Sequence, residues 1–259
     1  MIQSLPWRVG LIVFVTVATI VGYWTWHGPT PQPLPYHNFA DQRPLLGVPH
    51  ACNVLSNAPF VIVGLWGLAF MANAQARRPE TFVHKSERLP YWTYFVGLFL
   101  TGIGSSYYHA NPNNATLVWD RLPLTIAFMG MFTAILAERV HPWCARRLLG
   151  PLVALGAASV FYWDWTDDLR PYFTVQFFPL IALALMLLLY PPRYTGSADL
   201  VASLGCYVLA KVLEILDGQI YTASGFVSGH TLKHLVAGLA AWFILHMLQA
   251  RRATLPASA

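Results

Sequence analysis

The chain has 259 residues, of which 56% are hydrophobic and only 10% charged. A soluble domain carries about 25% charged residues, so this chain lacks the polar shell that a water-soluble core of its size would need. The net charge of +5 comes from basic residues scattered through short loops, without the aromatic-interleaved stripe of a nucleic-acid interface, and that class is excluded.

Each spanning helix of a bilayer protein needs roughly 20 mainly apolar residues. Eight such segments follow one another, at about 7–26, 52–75, 90–109, 115–138, 146–163, 172–190, 198–217 and 230–250. In the first, Arg8 and the apolar run after it resemble a signal peptide, but no small-residue cleavage site follows. The run closes on Tyr23, Trp24 and Trp26, which suit a membrane interface, so a retained first helix is expected. Residues 29–51 are polar and proline-rich and are expected to lie on the membrane surface. Cys52, Cys144 and Cys206 lack metal-type spacing and read as small buried apolar residues. The expected fold is all-α, a polytopic transmembrane bundle with a seven-helix core and one additional N-terminal helix. Its divisions are 1–28 (N-terminal helix), 29–51 (surface loop), 52–250 (core) and 251–259 (cytoplasmic tail).

Basic residues stay on the cytoplasmic side of a membrane. With the N-terminus inside, the inner segments hold Arg8, Arg77, Arg78, Lys85, Arg88, Arg139, Arg146, Arg147, Arg193, Arg251 and Arg252. The outer loops hold Arg43 and Arg170, with Arg121 and Lys233 just inside helix ends and Lys211 within a helix. Eight spans with both termini cytoplasmic follow, as in an inner-membrane protein.

That topology brings distant polar residues to one depth, near the outer face. His109 ends the third segment, Asp120 begins the fourth, and His230 and His234 begin the eighth. Two histidines at i and i+4 project from one helical face and can bind one metal. His109 supplies a third nitrogen, which leaves a tetrahedral zinc one open position for water, whose pKa zinc lowers toward about 7. Asp120 is placed to take the water's proton and pass it to a leaving amine. Ser105, one turn before His109, is placed to donate to an oxyanion. Ionisable residues inside a membrane are rare and usually functional. The bland alternative is a set of interfacial histidines bonded to backbone or water.

The bland reading is preferred elsewhere. His27, His37, His84, His141 and His246 read as solvated, and Asp164, Asp167 and Asp168 as a solvated acidic turn. Lys211 and Glu214, at i and i+3, read as an ion pair within the bundle; Asp217 has no assigned role.

Ser105-x-x-x-His109, Asp120 eleven residues later, and His230-x-x-x-His234 in the last helix together resemble the CREST superfamily of membrane hydrolases, and within it the alkaline ceramidase branch. Asn53-Val54-Leu55-Ser56-Asn57 is similar to the start of that branch's first core helix. The resemblance covers about 50–250. It implies a zinc-dependent amidase acting on a ceramide-like lipid amide. His109, His230 and His234 would be the zinc ligands, Asp120 the proton-transfer residue and Ser105 the oxyanion donor, a place Ser106 takes if the helix is rotated. The resemblance also implies an acidic calcium site near the N-terminus, but here Asp41 is the only carboxylate in that region. Calcium requires six to eight oxygens, so its binding is not expected. The acyl chain is expected between the third, fourth and seventh segments, with membrane lipids as the surroundings. Two other readings stay open: a non-catalytic, zinc-stabilised, receptor-like bundle, and a transporter, for which no internal repeat is visible.

Overall fold

The computed structural model describes residues 6–254, and for residues 75–77 the backbone alone. The expected segments at 1–5 and 255–259, and the Arg77 side chain, lie outside the described residues. The chain is all-α. Its helices in chain order are α1 (Pro6–Trp26), α2 (Ala51–Leu55), α3 (Ala58–Arg77), α4 (Arg88–Ala110), α5 (Asn114–Ile135), α6 (Trp143–Arg147), α7 (Leu149–Thr166), α8 (Arg170–Leu189), α9 (Ser197–Ile215), α10 (Asp217–Ser224) and α11 (Gly229–Ala250).

Among the described residues, five stretches are long and apolar enough to cross a bilayer: Pro6–Trp26, Ala51–Ala74, Asn114–Arg139, Arg170–Leu189 and Gly229–Ala250. Their outer faces leave large apolar side chains uncovered, among them Phe14, Ile62 and Leu188. Exposed apolar surface on this scale needs a partner other than water. Together these features describe a multi-pass membrane protein.

Local chemistry explains where the apolar segments break. Pro59 lacks an N–H and its ring crowds the carbonyl four residues back, so the second segment divides at Ser56–Asn57 into α2 and α3. The seventh stops at Ile215, and α10 starts afresh at Asp217. α5 runs on into a π-helical turn, Leu136–Val140. Its start is fixed by Asn113, whose side chain accepts from Thr116 N at 3.0 Å, satisfying one of the orphan donors of the first turn.

α4 and α5 approach unusually closely. Pro123 lies inside α5 and offers no N–H to the carbonyl of Trp119, four residues earlier. Gly104 of α4 fills the space at that carbonyl: a Cβ there would stand 1.9 Å from Trp119 O. Gly97 and Gly130 make similar approaches along the same pair. Small residues that allow backbone contact are a main device of helix association in lipid.

Among the described residues, two buried clusters fill the interior. One includes Met71, Phe95, Ile135, Met186 and Leu245; the other gathers Phe39, Tyr108, Leu117, Trp163 and Tyr172 around the end that carries the histidines. The opposite end is closed by buried charges. Glu138 accepts from the Tyr91 hydroxyl at 2.9 Å and pairs with Arg251. Glu87 pairs with Arg193 and accepts from the Tyr194 hydroxyl. Arg251, at the junction with the expected tail, is thus a buried latch.

Candidate metal centre and the adjoining cavity

His109 sits in the last turn of α4, and His230 and His234 in the first two turns of α11. The start of α11 is held on three sides. The Ser228 hydroxyl accepts from Thr231 N at 3.1 Å, a side-chain N-cap. Gly229 lies so close to α9 that a Cβ would be 2.2 Å from Leu213 O. Asp217 accepts from His230 N at 2.7 Å through one oxygen and from Ala40 N at 2.9 Å through the other. Asp217, without a role in the sequence, is the clamp between α11 and the segment before α2.

The three histidines converge. One ring nitrogen from each lies within 4.8 Å of the others, and all three residues are buried. His109 Nε2 and His230 Nε2 are 3.3 Å apart. His234 Nδ1 is 2.8 Å from Ser56 Oγ, while that hydroxyl donates its only proton to Asn53 O at 3.0 Å. Ser56 must therefore accept from His234, which puts the proton on Nδ1 and leaves the Nε2 lone pair free. Asn53 is itself held by the Thr231 hydroxyl, 2.9 Å from its Oδ1. This is the outer support that metal-binding histidines usually have.

The residues fit a metal. His109 Nδ1 is buried with no hydrogen-bond partner. A direct N–H···N bond would account for the His109–His230 pair and leave His234 without a reason to face it. Three neutral imidazoles form a borderline-soft nitrogen set suited to zinc and its first-row neighbours. Phe39 closes one side, its ring 4.6 Å from that of His109 and 4.4 Å from that of His230. Through Phe39 the 29–51 segment, expected on the membrane surface, also folds over the histidines. No sequence signal at Phe39 marks this contact, which depends on long-range folding.

Beside the histidines lies a cavity of about 380 Å³. One region is polar, with Ser105, Asp120, Arg121, Lys211, Glu214, Lys233 and His234; elsewhere it is walled by side chains such as Leu98, Phe128, Phe173, Leu204 and Ala237. The walls come from α4, α5, α8, α9 and α11, with Phe60 of α3 and Gln32, Pro33 and Tyr36 of the 29–51 segment. The expected third, fourth and seventh segments are all present, and α8 and α11 add to them. Ser105 and Asp120 both line this polar region of the cavity. Ser106 turns away and donates to Gly102 O at 2.8 Å and Val54 O at 3.2 Å. The close α4–α5 contact at Gly104 and Trp119 lies one residue from both Ser105 and Asp120, and so sets their separation.

Lys211 pairs with Glu214 as expected, and Lys233 joins them, its Nζ 2.6 Å from Glu214 Oε1. Other polar residues are more engaged than the sequence indicated. His37 is half-buried and engaged through both ring nitrogens: Nδ1 meets the Tyr108 hydroxyl at 2.9 Å and Nε2 meets Asn114 Oδ1 at 2.8 Å. Asp168 is buried against Arg170, 2.7 Å away, and accepts from Thr30 N. Asp167 accepts from Gln32 N at 2.9 Å. Both acids pin the 29–51 segment; Asp168 is buried, while Asp167 stays exposed as expected. Paired hydrogen bonds from Arg170 hold the Asp168 carboxyl below the usual carboxylate range; Arg43 does the same for Asp41. Asn53 and Ser56 were visible as polar residues in an apolar segment, but their contact with His234 was not.

No protein-family model matches the chain, and no curated protein matches its sequence.

Proposed function

We propose that this protein is a zinc-dependent intramembrane hydrolase that cleaves the amide bond of a ceramide-like lipid. The observation that carries the reading is the convergence of three buried histidines beside a largely apolar cavity whose polar region holds Ser105 and Asp120. The arrangement resembles that of the CREST hydrolases in its residues.

His109, His230 and His234 would hold the ion, with Ser56 and Asn53 keeping His234 in the tautomer that presents Nε2. Zinc, when bound, supplies Lewis acidity for activating water and polarising a carbonyl. The chain's own residues do the rest. The apolar walls take the acyl chain and exclude bulk water. The Asp120 carboxylate accepts a proton from the attacking water as the new carbon–oxygen bond forms. It returns that proton to the amide nitrogen as the carbon–nitrogen bond breaks, giving a fatty acid and a long-chain amine. The Ser105 hydroxyl donates to the carbonyl oxygen as negative charge develops.

In this reading α4, α7 and α9 also cross the membrane, and 52–250 is the catalytic unit. Residues 1–28 add a span, and 251–259 lie in the cytoplasm. The Lys and Arg distribution supports cytoplasmic termini and a site near the outer face, where substrate arrives laterally from surrounding lipid. A second reading, a metal that only ties helices together, is favoured by Phe39 covering His109 and His230. Asp120→Asn separates the two. The hydrolase reading expects metal content to be kept and fatty-acid release from ceramide to fall by about 10²-fold or more. Full release from that variant would reject the mechanism.

A further inference from the structure

Arg121 is the one cation on the cavity wall with no ion-pair partner among the described residues: Lys211 and Lys233 both pair with Glu214. It is 4% exposed. Its guanidinium lies 4.1 Å from the Trp163 ring centre and 4.6 Å from that of Tyr172, and Nη2 donates to Gln32 Oε1 at 2.6 Å. Nη1 is buried and makes no hydrogen bond. Aromatic faces and a neutral amide offset part of the cost of burying this charge, but they leave one buried donor of a cavity-lining residue unpaired. A buried donor without an acceptor is costly, and a guanidinium is the side chain best shaped for a carboxylate.

Charge on the wall points the same way. Lys211, Lys233 and Arg121 are balanced only by Asp120 and Glu214, a net excess of one positive charge. That excess matches a monoanion. Arg121 follows Asp120 directly, and consecutive Cα atoms are about 3.8 Å apart. Both residues line the same cavity, so a group bound at Arg121 and an amide held at Asp120 share one space.

We propose that Arg121 receives the carboxylate of an acidic N-acyl lipid, an acyl chain amide-linked to an amino acid, and that the site prefers such lipids to neutral amides. The proposal rests on the amidase reading for its catalytic arm only; binding tests it independently.

The experiment uses the full chain in an uncharged detergent with two probes of equal chain length, N-palmitoylglycine and N-palmitoylethanolamine. Binding is read by thermal shift titration and turnover by palmitate release. The wild type is expected to bind the acid about tenfold or more tightly than the neutral amide, with the same order in kcat/KM. Arg121→Gln should bring the two lipids within about threefold of each other, and Arg121→Lys should keep part of the preference. Should the glutamine variant fail to fold, the wild-type ratio and the lysine variant still decide. Equal binding of both lipids by the wild type overturns the proposal, as does a glutamine variant that retains the preference. If the acid binds preferentially but neither lipid, nor ceramide assayed alongside, is cleaved, the anion site stands and the amidase reading fails.

Discussion

An alanine at position 104 would set a methyl group 1.9 Å from Trp119 O and 2.9 Å from Trp119 C. Both are backbone atoms, so no rotamer change relieves the clash. Ordinary contact begins near 3.4 Å, and α4 and α5 must separate by about 1.5 Å to reach it, taking Ser105 away from Asp120. Overpacking of this kind costs about 1–3 kcal/mol of stability. A displacement of about 1 Å at reacting groups can cost 10²-fold in rate. Gly104→Ala is therefore expected to lower the thermal midpoint in detergent and to reduce lipid-amide turnover by about 10²-fold. Gly205→Ala on α9, where an added Cβ meets nothing within 4 Å, is the control; it should not lower the midpoint, since alanine favours a helix interior over glycine, and should leave turnover unchanged. A Gly104→Ala protein with wild-type midpoint and turnover would refute the claim that this crossing sets the site.

Ser56→Ala removes the acceptor that orients His234, and zinc affinity, measured by competition with a chromogenic chelator, should weaken by about 10–100-fold. Asp168 supplies a pH prediction. Arg170 depresses the folded carboxyl's pKa, so the pair's contribution is present above the unfolded value of about 3.9 and is lost as pH falls through the lower folded value. Thermal midpoints of wild type and Asp168→Asn should differ near pH 7 and converge on acidification below about pH 4; a gap that widens on acidification contradicts this sign.

Much of the site was legible in the sequence because its elements are helices. Helical periodicity alone puts His230 and His234 on one face, and Ser105 on the face of His109. The packing of α4 against α11 then brings the three histidines together. Pro59 and Pro123 were harder to read. The same absence of an N–H breaks a helix before Pro59 but inside α5 merely frees a carbonyl that Gly104 covers. What the sequence hid depended on contacts between distant segments. Phe39 over the histidines, Asp217 on His230 N, and Lys233 joining Glu214 arise from how the 29–51 segment, α9 and α11 meet, and no local pattern encodes that meeting. His37 and Asp168 misled for a related reason: loop residues in a membrane protein read as solvated, yet here they hold the segment covering the site.

The most direct test measures bound metal and fatty-acid release together, on purified wild-type protein and on His230→Ala. The account predicts about one zinc per wild-type chain with release of fatty acid from a lipid amide, and loss of both in the variant. Wild-type protein that hydrolyses lipid amides without bound metal, or a His230→Ala variant that retains zinc and activity, would contradict it.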